Sequence, residues 1–169
     1  MSPQVWVAPG AWLGMLGGGQ LGRMWVHAAQ SLGYKCLVLD PDPHSPAGQA
    51  ADGHLQADYL DENALQQLGQ RCAAVSTEFE NVPALALERL AQWTRVTPDA
   101  HAVSIAQDRA REKAHFVACG VPVARHQVIE RAEQLSSVGE HLLPGILKTT
   151  RLGYDGKGQV RVQSRSQLQ

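Results

Sequence analysis

A chain of 169 residues with a 44% apolar share is long enough to bury a real core and has the make-up of an ordinary globular protein. A net charge of −1 gives no sign of a surface for nucleic acid or membrane, and no apolar run is long enough to span a bilayer. Cys36, Cys72 and Cys119 are odd in number, far apart and without a C-x-x-C pair, so reduced and mostly buried thiols of a cytoplasmic protein are expected.

Residues 1–11 hold no Lys or Arg and are interrupted by Pro3, Pro9 and Gly10, which predicts a loose leader or an extra edge segment rather than a signal peptide. Trp12 to Leu16 is a short apolar run that reads as a buried strand. It breaks into Gly17, Gly18, Gly19 and Gly22, after which Leu21 to Leu32 has helical spacing closed by Gly33. Lys35–Leu39 predicts a second buried strand, running into an extended loop from Asp40 to Pro46 whose three prolines exclude helix. Gly53–Ala57 reads as a short third strand and the stretch from Asp61 to Leu68 as a helix with acids at its start. Ala73–Thr77 reads as a fourth strand, Pro83 to about Trp93 as a helix, and Thr94–Thr97 as a fifth strand. Strands alternating with helices imply a parallel sheet, an α/β fold with ligands at the carboxyl ends of the strands. The glycine loop, the Asp40–Pro46 loop and Glu78–Asn81 would converge there.

The pattern changes near residue 107. Asp108 is expected to cap a helix over Arg109–Cys119, ended by Gly120 and followed by Pro122. Val123–Ile129 then reads as a strand, Ala132–Val138 as a helix, and Ile146–Thr149 with Val160–Val162 as a hairpin. These residues predict a second, α+β unit with a core too small to stand alone, so the chain reads as truncated. The domains expected are therefore 1–106 and 107–169.

Four stretches are candidates for chemistry. Glycines at a strand-to-helix turn permit positive φ and close approach, and the new helix offers unpaired N–H groups, so the first loop suits an anion or a ribose phosphate. Gly17, Gly19 and Gly22 fit G-x-G-x-x-G, with Asp40 at a strand end about 20 residues on, as in a nicotinamide-binding fold; a tight turn without a ligand would have the same glycines. The loop also approaches a Walker A motif, but Arg23 and Met24 stand where Lys and Ser/Thr are required. The second stretch runs from Lys148 to Gln159, with Gly153, Gly156, Gly158 and Lys157 between two antiparallel strands. Such a loop can close over phosphates, its lysines offsetting their charge. At the ligand edge, Glu78 and Glu80 with Asn81 could hold ribose hydroxyls or a substrate amine, while helix capping by Asn81 is the plainer reading. Arg109 sits just inside a helix start, against the dipole, which hints at an anionic partner. The histidines, seven in number, have no ligand spacing and no metal-binding residues are assigned.

Together, Leu16-Gly-Gly-Gly-Gln-Leu-Gly-Arg-Met24, Asp40-Pro-Asp-Pro43, Thr77-Glu-Phe-Glu-Asn-Val-Pro83, and Lys148 followed by Gly153-Tyr-Asp-Gly-Lys-Gly-Gln159 resemble the 5-(carboxyamino)imidazole ribonucleotide synthase family of ATP-grasp enzymes. The order and separations fit from about residue 12 onward. The resemblance implies a Rossmann-like pre-ATP-grasp domain followed by the start of an ATP-grasp subdomain. It implies ATP-dependent carboxylation of aminoimidazole ribonucleotide by bicarbonate, through carboxyphosphate, in purine biosynthesis. Carried over by position, Arg109, Lys148, Gly153, Tyr154, Asp155, Gly156, Lys157, Gly158 and Gln159 would contact ATP. Gln20, Leu21 and Glu80 would face the ribonucleotide. The family's Mg²⁺ ligands and catalytic residues fall outside these 169 residues, so the chain by itself is expected not to turn over. Members commonly pair as homodimers, which makes a second copy a candidate partner.

Two other classes remain open at this point. A fragment of an NAD(P)-dependent oxidoreductase would use Gly17, Gly19, Gly22 and Asp40 but leaves Gly153–Gln159 without a role. A non-catalytic ligand-binding module would need no further residues. Formate-dependent glycinamide ribonucleotide transformylase shares the architecture, but the wording of Thr77–Pro83 and Gly153–Gln159 favours the carboxylase.

Overall fold

The computed structural model describes residues 6–78, 80–153 and 156–168. They form two compact units, residues 1–104 and 105–169.

The first unit is a parallel sheet of β1 (Trp12–Leu16), β2 (Lys35–Leu39), β3 (Gly53–Leu55), β4 (Ala74–Thr77) and β5 (Arg95–Val96), in the order β3-β2-β1-β4-β5. This is the order of a Rossmann-like sheet, with β1 at its centre. The helices between strands are α1 (Gln20–Ser31), α2 (Pro46–Ala50), α3 (Glu62–Arg71) and α4 (Ala84–Leu90). Alternation along β2 sorts the core into two layers. Cys36 and Val38 pack with Met15, Val26 and Ala29 on the α1 side, while Leu37 and Leu39 join Leu65, Leu68 and Leu87 on the α3 and α4 side. Burial pushes the Cys36 thiol up to about 11, helped by the nearby Asp52 carboxylate. Burial likewise raises Cys72, to about 12. Both are inert packing groups; Cys119 is exposed.

Helix starts and stops follow local chemistry. Gly33 closes α1 with φ +85°, and Asp61 caps α3 by accepting from the Ala64 N–H at 2.8 Å. Residues 7–11 are not a loose leader: the Gly10 N–H donates to Gly33 O at 2.7 Å and the Tyr34 hydroxyl to Val7 O at 2.8 Å. The run of prolines after Asp40 ends in a helix rather than continuing as loop, because Pro46 occupies the first turn of α2, where its missing N–H costs nothing. Pro83, not Asn81, is the residue before α4, so Asn81 does not cap it. An additional helix, α5 (Ala100–Ala106), was not anticipated; its signal was Asp99, whose carboxylate accepts from the Ala102 N–H at 2.7 Å.

In the second unit α6 spans Arg109–Ala118, capped by Asp108, which accepts from Ala110 and Arg111 N–H groups. The hairpin forms as β6 (Gly145–Lys148) and β7 (Gln159–Val162), with Lys148 opposite Gln159. The strand expected over 123–129 does not form. Residues 121–130 carry no regular structure, since neither edge of the hairpin pairs with them, and Val128 is left exposed. The helix expected at 132–138 is a 3₁₀ helix over Ala132–Ser137, and two further 3₁₀ turns occur at Glu140–Leu142 and Arg165–Leu168. Arg165 stitches this region together through Glu140 Oε1, Ser136 O and Val138 O. Among the described residues of this unit only Gln107, Val138 and Val162 are buried, in keeping with a core expected to be small.

Candidate functional sites

Strand register assembles the first site. Leu16 lies opposite both Leu39 and Thr77, so the residues that follow them, Gly17–Gly19, Asp40 and Glu78, emerge side by side at the carboxyl edge. Gly17 turns the chain with φ +100°. The Gly18 N–H donates to Asp40 Oδ2 at 2.7 Å. Both oxygens of Glu78 are engaged at the start of α1: Oε1 accepts from the Gly19 N–H and Oε2 from the Gly22 N–H, each at 2.6 Å. Asp40 also accepts from the Asp42 N–H at 2.9 Å and from the Tyr59 hydroxyl at 2.6 Å. Burial, and then this hydrogen bond to Asp40, push the Tyr59 hydroxyl far above its ordinary value, so it stays a protonated donor.

The loop's N–H donors, which made it a candidate anion cradle, are thus met by the protein's own carboxylates. Close packing enforces this. A Cβ on Gly18 would collide with Ser45 Cβ and lie 2.8 Å from Asp40 Cγ; one on Gly19 would lie 2.6 Å from Glu78 Oε1. Gln20 and Leu21 stand exposed in the first turn of α1, and Glu80 is exposed two residues beyond Glu78. Glu78, Tyr59 and Ser45 were not singled out individually by sequence reasoning. The signal for Glu78 was its place immediately after a buried strand that neighbours β1.

The second site lies wholly within residues 105–169. Arg109 donates its backbone N–H to Thr150 O at 2.9 Å and its guanidinium Nη2 to Gly153 O at 2.8 Å, tying the start of α6 to the glycine loop. The loop closes on itself where the Thr149 N–H meets Gly158 O at 2.8 Å. Gly156 and Gly158 have φ +81° and +68°, and a Cβ on Gly158 would come within 2.6 Å of Thr149 Oγ1, so glycine is required twice over there. Leu152, with φ +59°, also sits in the left-handed region and is exposed.

Beside the loop is a cavity of about 650 Å³, a size suited to a nucleotide-sized ligand. Its lining includes Arg109, Lys113 and Lys148 together with Val128, Ile129 and Ile146, and among the described residues no carboxylate lines it. Of the residues expected to contact ATP, Arg109, Lys148, Gly158 and Gln159 reach this cavity; Gly153, Gly156 and Lys157 lie in the loop beside it. Tyr154 and Asp155 lie outside the described residues. Among the described residues no group of three or more His, Cys, Asp or Glu could hold a metal ion.

A model of the ribonucleotide synthetase preATP-grasp domain matches residues 11–107, and one of the ATP-grasp domain matches residues 114–169. The chain is 41% identical to N5-carboxyaminoimidazole ribonucleotide synthase of Brucella melitensis over 95% of its own length and 45% of that protein's. The crystal structure of the synthetase from Staphylococcus aureus complexed with ADP superposes with a TM-score of 0.88 at 37% identity, covering 96% of this chain and 44% of that one. The structure of N5-carboxyaminoimidazole synthase from Aspergillus clavatus, in complex with ADP and 5-aminoimidazole ribonucleotide, superposes with a TM-score of 0.80 at 36% identity, over 94% and 42% of the two chains. The chain thus spans less than half the length of the relatives it matches. With the preATP-grasp model covering more than half of the sequence, the chain belongs to the ribonucleotide synthetase preATP-grasp family.

Proposed function

We propose that the chain contributes the ribonucleotide-facing and nucleotide-facing residues of an ATP-grasp ligase that carboxylates 5-aminoimidazole ribonucleotide. In that reaction ATP phosphorylates bicarbonate, and the exocyclic amine of the ribonucleotide attacks the resulting carboxyphosphate, releasing phosphate. Little covalent chemistry falls to the protein; positioning and charge neutralisation carry the rate. Residues 1–106 are read as the pre-ATP-grasp domain and 107–169 as the beginning of the ATP-grasp domain.

The observation that carries this reading is the clamp of Arg109 on Gly153 O beside a cavity that also displays Lys113 and Lys148 and, among the described residues, no carboxylate. Three cations and an apolar wall suit the phosphates and base of ATP, with the Gly153–Gln159 loop, including Tyr154 and Asp155, folding over the phosphates. Gln20, Leu21 and Glu80 are read as facing the ribonucleotide. Relatives with more than one third identity carry ADP, and in one case the ribonucleotide as well, which supports both assignments. Among the described residues the cavity's lining offers no oxygen-rich ligand set for Mg²⁺. Binding rather than turnover is what these residues supply, in a cytoplasmic setting and with a second copy as the candidate partner.

Calorimetric titration with ATP and then with 5-aminoimidazole ribonucleotide tests the reading. Saturable ATP binding that is weakened by Lys148→Ala, and ribonucleotide binding that is weakened by Glu80→Ala, are expected. Binding of neither ligand, with saturable binding of a nicotinamide dinucleotide instead, would overturn it.

A further inference from the structure

We propose that Glu78 is a specificity-determining residue of the first glycine loop: its carboxylate fills the anion position at the start of α1, so the loop refuses phosphate. In a dinucleotide-binding fold the pyrophosphate rests on this helix start, held by backbone N–H groups and the positive end of the dipole. Here the same donors already hold an anion that the chain supplies. Glu78 bridges the Gly19 and Gly22 N–H groups with one oxygen each, both at 2.6 Å, the short distances of charge-assisted bonds.

The rest of the dinucleotide signature is consumed in the same way. An acid about 20 residues after the loop would accept from a ribose hydroxyl. Asp40 instead accepts from Gly18 N–H, Asp42 N–H and the Tyr59 hydroxyl, and only 8% of it is exposed. A phosphate arriving at the loop meets a carboxylate where its own oxygens would bind, and must displace two charge-assisted bonds to stay. The residue is placed by register: Thr77 pairs with Leu16, which sets the next residue of β4's chain against the turn after β1. A glycine loop of this spelling is thereby separated from nicotinamide chemistry by the side chains of Glu78 and Asp40, each just past a strand that neighbours β1. This inference concerns only the first unit and stands apart from the ATP assignment in the second.

The test compares the wild-type chain with Glu78→Ala and Glu78→Gln, using inorganic pyrophosphate as the probe and the backbone amide signals of Gly19 and Gly22 as the readout. The wild type is expected to show no saturable shift of those two amides. Glu78→Ala, which frees both donors, is expected to bind pyrophosphate at least about tenfold more tightly, with both amides shifting. Glu78→Gln keeps the shape and removes the charge, and is expected to gain a smaller part of that affinity. It becomes the deciding variant if circular dichroism shows that Glu78→Ala does not fold. Saturable pyrophosphate binding at Gly19 and Gly22 in the wild type would overturn the proposal. So would a folded variant that binds no better than the wild type.

Discussion

Two glycine-rich loops in one chain have opposite electrostatic fates. The loop after β1 is buried, and the N–H groups of Gly18, Gly19 and Gly22 are held by Asp40 and Glu78. The described residues of the loop after β6 are mostly exposed, lie near Arg109, Lys113 and Lys148, and border a cavity with no carboxylate among its described lining residues. Glycines alone do not make a phosphate site. What decides is whether the surrounding side chains leave the backbone donors available and supply cations, or satisfy the donors internally with anions. The first loop is a structural joint; the second has the open donors and nearby cations that a phosphate-facing element needs.

The sharpest way to break the contrast is at Gly18, where no side chain fits. Gly18→Ala would press a methyl into Ser45 and Asp40, in a site where Ser45 is 2% exposed. A loss of about 2–3 kcal/mol of stability is expected, read by urea denaturation. Gly153→Ala is expected to cost less, since its nearest obstacle is Thr149 Oγ1 at 2.9 Å, on an exposed residue with freedom to give way. Equal losses at the two positions would remove the distinction between a packed joint and an open cover.

Arg109→Ala sharpens the other side of the comparison. It removes both a cation from the cavity and the guanidinium bond to Gly153 O. ATP affinity is expected to fall about tenfold or more in calorimetry, with the melting of the first unit unchanged. A variant that bound ATP normally would mean that the cavity beside the loop is not the nucleotide site.

Much of this contrast was legible in the sequence, and the part that was not has a physical cause. The five strands, their parallel pairing and the hairpin partner of β6 follow from apolar runs punctuated by Gly and Pro and from the alternation of strands with helices; the strand order does not. Asp108 and Asp61 announced their helices as caps. The strand expected at 123–129 failed because pairing is non-local: β propensity in Val-Pro-Val-Ala-Arg-His-Gln-Val-Ile says nothing about whether an edge lies within reach. Glu78 was visible as one of two acids, but only the Leu16–Thr77 register shows which of them meets the glycine N–H groups. Tyr59 lies in an unremarkable sequence and is found only through Asp40.

Tyr59→Phe probes that buried end of the joint. Losing the 2.6 Å bond to Asp40, which keeps its Gly18 and Asp42 partners, is expected to cost about 1 kcal/mol. The folded hydroxyl titrates above its ordinary value of 10.0, so the stability it provides is complete below that value and declines as pH rises beyond it. Thermal melts should therefore show wild type and Tyr59→Phe converging in alkaline solution. A constant gap at all pH values would mean that the cost comes from packing and not from the proton.

The smallest effect is expected at Asp52, an exposed carboxylate of the first unit. Its Oδ2 accepts from the Cys36 N–H at 2.8 Å and from the Gln30 side chain at 3.1 Å, fastening the end of α1 to the start of β2. The Cys36 hydrogen bond, followed by that of Gln30, holds the carboxyl below its ordinary value of 3.8. A group lowered in the folded state stabilises above its unfolded value and loses that contribution as pH falls through the folded one. Asp52→Asn should therefore melt slightly below the wild type at neutral pH, and the gap should close as the solution is taken below pH 3.8. Solvent screening keeps the effect small, well under that of Tyr59→Phe, whose bond is sheltered. A carboxylate hydrogen bond of similar length thus differs in worth with burial, the same variable that separates the two glycine loops. A neutral-pH gap as wide for Asp52→Asn as for Tyr59→Phe would show that burial is not what sets it.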